Sequence, residues 1–128
     1  MTAQRPARVR TVDIHAHWYP AEWLRLFERD GAHEGAALTR SDKGYALRTE
    51  RLTNAFTEEF VDLDRRLAAM DKAGVDVHAL SLTTPMVNWS SPALGLALAQ
   101  SFNDAASAAH ARHPARFVGL ATLPMQDP

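Results

Sequence analysis

Asp13-Ile14-His15-Ala16-His17 is where this chain first shows residue types at a spacing that could do chemistry. Side chains two apart on an extended segment point to the same face. His15 and His17 are therefore expected to present two imidazoles side by side, and neutral imidazole is a strong ligand for zinc and similar ions. Asp13 is expected on that face one step deeper, where its carboxylate could fix a ring or the strand end by an outer hydrogen bond. A bare His-x-His pair is common by chance. Its weight comes from position, at the C-terminal end of the first strand of an α/β chain, where barrel enzymes keep their active sites.

The other candidates are weaker. Arg48 follows Tyr45 and Leu47 on an expected hairpin, where a guanidinium either holds a substrate carboxylate bidentately or is simply solvated. Trp89, in the loop after the second strand, either lines a pocket or covers a core edge. His78 points with Leu80 and Leu82 and reads as a packed, hydrogen-bonded core histidine. His33, His110 and His113 read as solvated, and so does the Arg65-Arg66 pair, on an exposed helix face.

The elements that must position these groups follow from pattern. Val9 to His15 reads as a strand, with β-branched Val9, Val12 and Ile14. A helix follows from Pro20 to about Arg29, with Pro20 at its first position, Gly31 at its end and Trp23, Leu24 and Phe27 on its apolar stripe. Residues 37–51, with the turn Ser41-Asp42-Lys43-Gly44, read as a small β-hairpin inserted into the main order. Glu58 to Ala73 reads as an amphipathic helix bearing Phe60, Leu63, Leu67 and Met70, with Thr57 as N-cap and Gly74 as left-handed C-terminal cap. Val75 to Leu82 is an apolar strand closed by Thr83-Thr84-Pro85. Pro92 to about Ala111 is a helix stopped by His113-Pro114, and Arg116 to Leu123 is a third strand. Strands separated by helices imply a parallel sheet buried on both faces.

Bulk properties agree with this and exclude other classes. With 46% hydrophobic and 23% charged residues, the chain has the composition of a folded globular protein. Its 14 basic and 15 acidic residues leave a net charge of -1, which argues against nucleic acid or an anionic membrane as the main partner. Without cysteine, any metal must be held by imidazole and carboxylate. Met1 to Arg10 lacks the apolar run of a signal peptide, and no stretch approaches the roughly 18 apolar residues of a membrane span. A cytoplasmic, soluble protein is expected.

The 128 residues read as one incomplete domain. Asp127-Pro128 is a helix-start signal with nothing after it. Three parallel strands leave an edge unpaired and an apolar face short of cover, and a closed (β/α)8 barrel usually takes about 250 residues. The expected fold is thus the first three or so units of a (β/α)8 TIM barrel.

Three blocks carry a family resemblance. The run 12–20, Val12-Asp13-Ile14-His15-Ala16-His17-Trp18-Tyr19-Pro20, resembles the opening of the amidohydrolase-related family, in the branch that includes aminocarboxymuconate-semialdehyde decarboxylase. Residues 66–75, from Arg66-Leu67 to Gly74-Val75, resemble it too, and so do residues 116–126, from Arg116-Phe117 to Met125-Gln126. The blocks stand in family order. The resemblance implies a barrel with one divalent metal, usually zinc, at its mouth, and His15 and His17 match the two ligands of the first strand. It further implies another histidine ligand, an aspartate ligand and a catalytic histidine on later strands, for which this chain has no counterpart. Arg48 resembles a substrate-carboxylate arginine, by a loose local match, and Trp89 an aromatic of the same loop. A homodimer is implied as well.

Three functional readings follow. The first is a non-oxidative decarboxylase of an unsaturated or aromatic carboxylate, in which the metal acidifies a bound water and Arg48 orients the substrate. The second is a hydrolase of an amide, ester or lactone on the same scaffold. The third is a truncated, non-catalytic fragment, because two ligands hold zinc weakly.

Overall fold

A computed structural model describes residues 9–127. Met1 to Arg8 and Pro128 lie outside them, and with them most of the leader reading and half of the Asp127-Pro128 helix signal. The described residues fold as two three-stranded sheets and three α-helices, with two short 3-10 turns. Strand β1 (Val12–His17) leads into helix α1 (Ala21–Gly31). Strands β2 (Ala37–Ser41), β3 (Gly44–Arg48) and β4 (Thr53–Phe56) follow, then helix α2 (Leu63–Ala73), strand β5 (Val77–Ser81), helix α3 (Pro92–Arg112) and strand β6 (Phe117–Gly119). The first sheet is parallel with order β1-β5-β6, and the second is an antiparallel meander, β2-β3-β4.

Local chemistry sets the ends of these elements. Asp62, not Thr57, caps α2: its Oδ1 accepts from the backbone N–H groups of Asp64 and Arg65. Glu58–Phe60 is a separate 3-10 turn, so the amphipathic pattern that starts at Phe60 spans two pieces. Gly74 ends α2 in the left-handed region, at φ 71°, as expected. Ser91 caps α3, with Pro92 in its first turn. The hairpin expected at 37–51 gains a third strand, β4, whose four residues are too short to show a strand period. The strand expected at 116–123 is regular over Phe117–Gly119, with flanking bonds to β5 from the Arg116 carbonyl and the Leu120 N–H.

The core lies between the parallel sheet and the helices. Leu80, Phe117, Met70, Phe102 and Leu98 are fully buried there, joined by an aromatic run in which Tyr19 meets Trp23 and Phe56, and Trp23 stacks on Phe27. The other face of that sheet is apolar and open. Val118, in register with Ala79, is 43% exposed, and Val12, in register with Val77, is 51% exposed.

The meander is tied to the rest through polar groups. Arg40 on β2 makes a two-pronged ion pair with Glu28 on α1, at 2.8 and 2.9 Å. Tyr19 is completely buried. Its hydroxyl donates to the carbonyl of Thr84 and accepts from Asn54 Nδ2 of β4 at 2.7 Å, and burial pushes its pKa up to about 12. Replacing Tyr19 by Phe strips these partners inside the fold, so Tyr19→Phe is expected to lower the unfolding free energy by about 1–3 kcal/mol. Urea denaturation measures this, and an unchanged midpoint would show that the tie between β4 and the loop after β5 contributes nothing.

Candidate metal centre

His15 and His17 stand at the C-terminal end of β1, and the structure brings their rings together. Their Nε2 atoms are 2.9 Å apart and the rings meet edge to face, with centroids at 4.6 Å. Simple alternation is only part of the reason. Along β1 the register advances three residues, from Asp13 to Ala16, while β5 advances two, from His78 to Leu80. The extra residue is a bulge, which bends a strand and re-aims its side chains.

The bulge also decides the place of Asp13. Register partners on neighbouring strands share a face, and Asp13 pairs with His78 as Ala16 pairs with Leu80 on the core side. Asp13 is thus not on the face of the histidine pair, as alternation alone suggested. It acts on the backbone: its Oδ1 accepts from the N–H of His15 at 2.9 Å, inside the bulge. Its Oδ2 lies 3.7 Å from His78 Nε2.

Two further residues complete the setting, and sequence reasoning missed both. Ser81, at the end of β5, is in register with His17, and its Oγ lies 3.0 Å from His17 Nδ1. With Nδ1–H donating to Ser81, His17 presents the lone pair of Nε2, the form a metal needs. The signal was available: Ser81, like His78, is a polar residue that interrupts the apolar run from Val77 to Leu82. The second is Arg66. It was expected to be solvated like Arg65, but it is buried, with only 8% of its surface exposed, while Arg65 is exposed. Arg66 lies three residues after Leu63 and four before Met70, on the inward face of α2, where helix geometry turns it from water. Its Nη2 donates to the carbonyl of His17 at 2.5 Å and of Glu59 at 3.1 Å, and its Nη1 lies 3.3 Å from His78 Nδ1.

Burial, then the neighbouring His15, holds the pKa of His17 below its ordinary 6.5; the backbone of Ser81 opposes this and Arg66 adds to it. Burial, then Arg66, lowers His78 as well. Burial brings Arg66 down to about 10, so it stays cationic at neutral pH. His78 is the packed histidine the sequence suggested, on the face of Leu80.

The donor set fits a divalent cation. Two imidazole nitrogens face each other at a separation that a cation with metal–nitrogen bonds of about 2.0–2.1 Å can span. Among the described residues no third His, Cys, Asp or Glu joins them. The remaining candidates lie apart from the pair. Arg48 is exposed on β3, along a shallow cleft with Gly35, Glu50 and Thr53. Trp89 packs on Phe27 of α1 at 5.2 Å and donates its indole N–H to the Met86 carbonyl. His33 and His110 are exposed, His110 with Nδ1 on the Phe117 carbonyl, and His113 packs edge-on against Phe117.

No family model matches the chain. It is 30% identical over 118 residues to the 2-amino-3-carboxymuconate-6-semialdehyde decarboxylase of Dictyostelium discoideum, covering 90% of this chain and 33% of that enzyme. Over the matched stretch, these likenesses support the amidohydrolase-related family, in its aminocarboxymuconate-semialdehyde decarboxylase-like branch. The chain spans about a third of the curated relatives it matches. Among solved structures, the 5-carboxyvanillate decarboxylase of Novosphingobium aromaticivorans, complexed with manganese and 4-hydroxy-3-methoxy-5-nitrobenzoic acid, superposes with a TM-score of 0.65. Identity is 26%, over 94% of this chain and 35% of that one. The IDCase of Metarhizium anisopliae in apo form gives 0.75 at 22% identity, over 93% and 36%, which is a likeness of fold. The mixed α/β architecture is thus that of these decarboxylases. Among the described residues no helix is long and apolar enough to cross a membrane.

A pH dependence follows from the two lowered histidines. The unfolded chain takes up protons near pH 6.5, whereas folded His17 and His78 resist them to lower pH. Their contribution to stability is fully present above that value and is lost as pH falls through the lowered native values. Urea midpoints are expected to drop between pH of about 7.5 and about 5.5. His78→Asn, whose amide oxygen can take the place of Nδ1, should flatten the slope; equal slopes would contradict the assignment.

Proposed function

We propose that this chain is part of a metal-dependent, non-oxidative decarboxylase of an unsaturated or aromatic carboxylate, with His15 and His17 supplying two ligands to one divalent cation. The observation that carries the reading is the facing Nε2 pair at the end of a parallel strand, in a chain of this family. On this reading β1, β5 and β6 are the first three strands of a (β/α)8 barrel, and the β2-β3-β4 meander is an insertion after the first. The parallel neighbours and the open apolar sheet face support it. Zinc is the cation we favour, since imidazole suits it; the manganese in the 5-carboxyvanillate decarboxylase structure makes that ion the alternative.

A divalent cation at such a site supplies Lewis-acid polarisation of a substrate oxygen. The chain's own residues do the rest of what can be assigned to it. His15 and His17 would hold the cation through Nε2, and Ser81 would keep His17 in the tautomer whose Nε2 carries the lone pair. Arg48, with its exposed guanidinium, is proposed to meet a substrate carboxylate in the whole protein. Trp89, committed to α1 on one side, is proposed to shape the loop beside the mouth. Decarboxylation breaks the bond between carbon and carboxylate and leaves the electron pair on carbon. A proton must then reach that carbon, from a donor this chain does not contribute.

The test is made on the parent protein loaded with zinc or manganese and offered 2-amino-3-carboxymuconate 6-semialdehyde, aromatic hydroxycarboxylates and lactones. Carbon dioxide release that stops with a chelator, and falls at least about a hundredfold in His15→Ala and His17→Ala, is the expected result. Chelator-insensitive turnover, or hydrolysis of lactones without carbon dioxide, would overturn it. The 128-residue chain by itself is expected to bind the cation weakly and turn over none of these substrates.

A further inference from the structure

We infer that Arg66 is a positioning residue for the metal pair: by holding the carbonyl of His17 it fixes the direction in which that imidazole leaves β1. The inference rests on the metal-site reading above and assigns a role to a residue with no ligating atom.

Arg66 gives up most of its hydration on folding. A guanidinium taken into the interior must find acceptors, and the usual one is a carboxylate. Here the bonds go instead to two backbone carbonyls, those of His17 and Glu59, and Nη1 lies against a neutral ring nitrogen, that of His78. Asp13 is close enough to favour the charge. Nε has no partner among the described residues, so the fork is not fully satisfied even so. An apolar side chain would pack this face of α2, between Leu63 and Met70, without that cost. What it could not do is bond to a strand end.

That strand end is where the restraint is needed. His17 is the last residue of β1, and past it the ladder survives only in the bond from the Trp18 N–H to the Ser81 carbonyl, at 3.0 Å. The His17 carbonyl points the other way, toward α2, and takes the shortest of the Arg66 bonds, at 2.5 Å. With Ser81 on one side of the peptide and Arg66 on the other, the plane between His17 and Trp18 cannot rotate. The Cα–Cβ bond of His17 is then fixed, and Ser81 Oγ sets the remaining torsions through Nδ1. The same guanidinium reaches β5 at His78 and the 3-10 turn at Glu59, so the two parallel strands and the segment before α2 share one anchor.

A competing effect has the opposite sign. A cation near His17 repels a second cation, and Arg66 already adds to the lowering of the His17 pKa. If repulsion governs, removing the charge tightens metal binding; if positioning governs, removing the fork weakens it.

The test uses the 128-residue chain and zinc ions alone, followed by NMR of the imidazole resonances, with Arg66→Lys, Arg66→Met and Met70→Ala. Met70 is equally buried on α2 but touches neither histidine bond, so Met70→Ala reports what destabilisation alone does. Zinc affinity is expected to fall about tenfold to a hundredfold in Arg66→Met, nearly as far in Arg66→Lys, and not at all in folded Met70→Ala. In the metal-free proteins His17 should be Nδ1-protonated in wild type and in Met70→Ala, but a mixture of tautomers in both Arg66 variants. Hydrogen exchange of the Trp18 amide should quicken in those variants more than global unfolding explains. Tighter zinc binding in Arg66→Met, or unchanged tautomer and exchange in both Arg66 variants, would overturn the inference and leave the metal pair standing. Failure of the wild-type chain to bind zinc at His15 and His17 would sink the metal reading, and the metal-free measurements would still decide the role of Arg66.

Discussion

The end of β1 is held from both sides, and the candidate site depends on that constraint. A strand whose last residue carries a ligand is at a disadvantage, because ladder bonds run out where the ring must be most exact. Here β5 supplies Ser81 twice, through its carbonyl to Trp18 and through its hydroxyl to His17, and α2 supplies Arg66 to the carbonyl between them. Asp13 closes the bulge earlier in the strand, by accepting from His15. Each of these bonds touches a histidine of the pair or its peptide, and together they give two adjacent histidines a defined separation. Such supporting contacts matter as much to a metal site as the ligands, since a ring free to turn is seldom in the geometry a cation requires.

The electrostatics of the site agree with the geometry. Burial, then the neighbouring His15 and Arg66, holds the pKa of His17 down, which favours the neutral state that can donate a lone pair. Arg66 remains charged but directs its charge at the carbonyl oxygens of His17 and Glu59. On the proposed reading one side chain joins two roles: a cation that discourages protonation of His17, and a fork that anchors the peptide bearing it.

The sheet itself sets the limits of what this chain can do. Its helix-covered face is packed with Leu80, Phe117 and Phe102, while the face bearing Ala79, Val118 and Val12 is apolar and partly open. On the proposed reading, an apolar face of that kind, beside two candidate ligands, is one that further strands of a larger sheet would cover. This agrees with a chain that spans about a third of its curated relatives.

The sequence alone determined the alternation of strands and helices, the parallel sheet it implies, the amphipathic faces of α1 and α3, and the candidacy of His15 and His17. These follow from periodicity and from residue chemistry, which are local properties. It also determined the packed state of His78, because a histidine inside an apolar strand has few other options. Only the tertiary structure decided the bulge that moves Asp13 to the other face, since register is set between β1 and β5 and not within either. Only the tertiary structure turned Arg66 from an expected surface charge into a buried clamp: two adjacent arginines look alike in sequence, but α2 packs one of them against β1. Ser81 belongs to both accounts. Its oddity in an apolar run was visible, but its partner was not, because the hydrogen bond to His17 joins residues 64 apart, and only folding brings them within 3.0 Å.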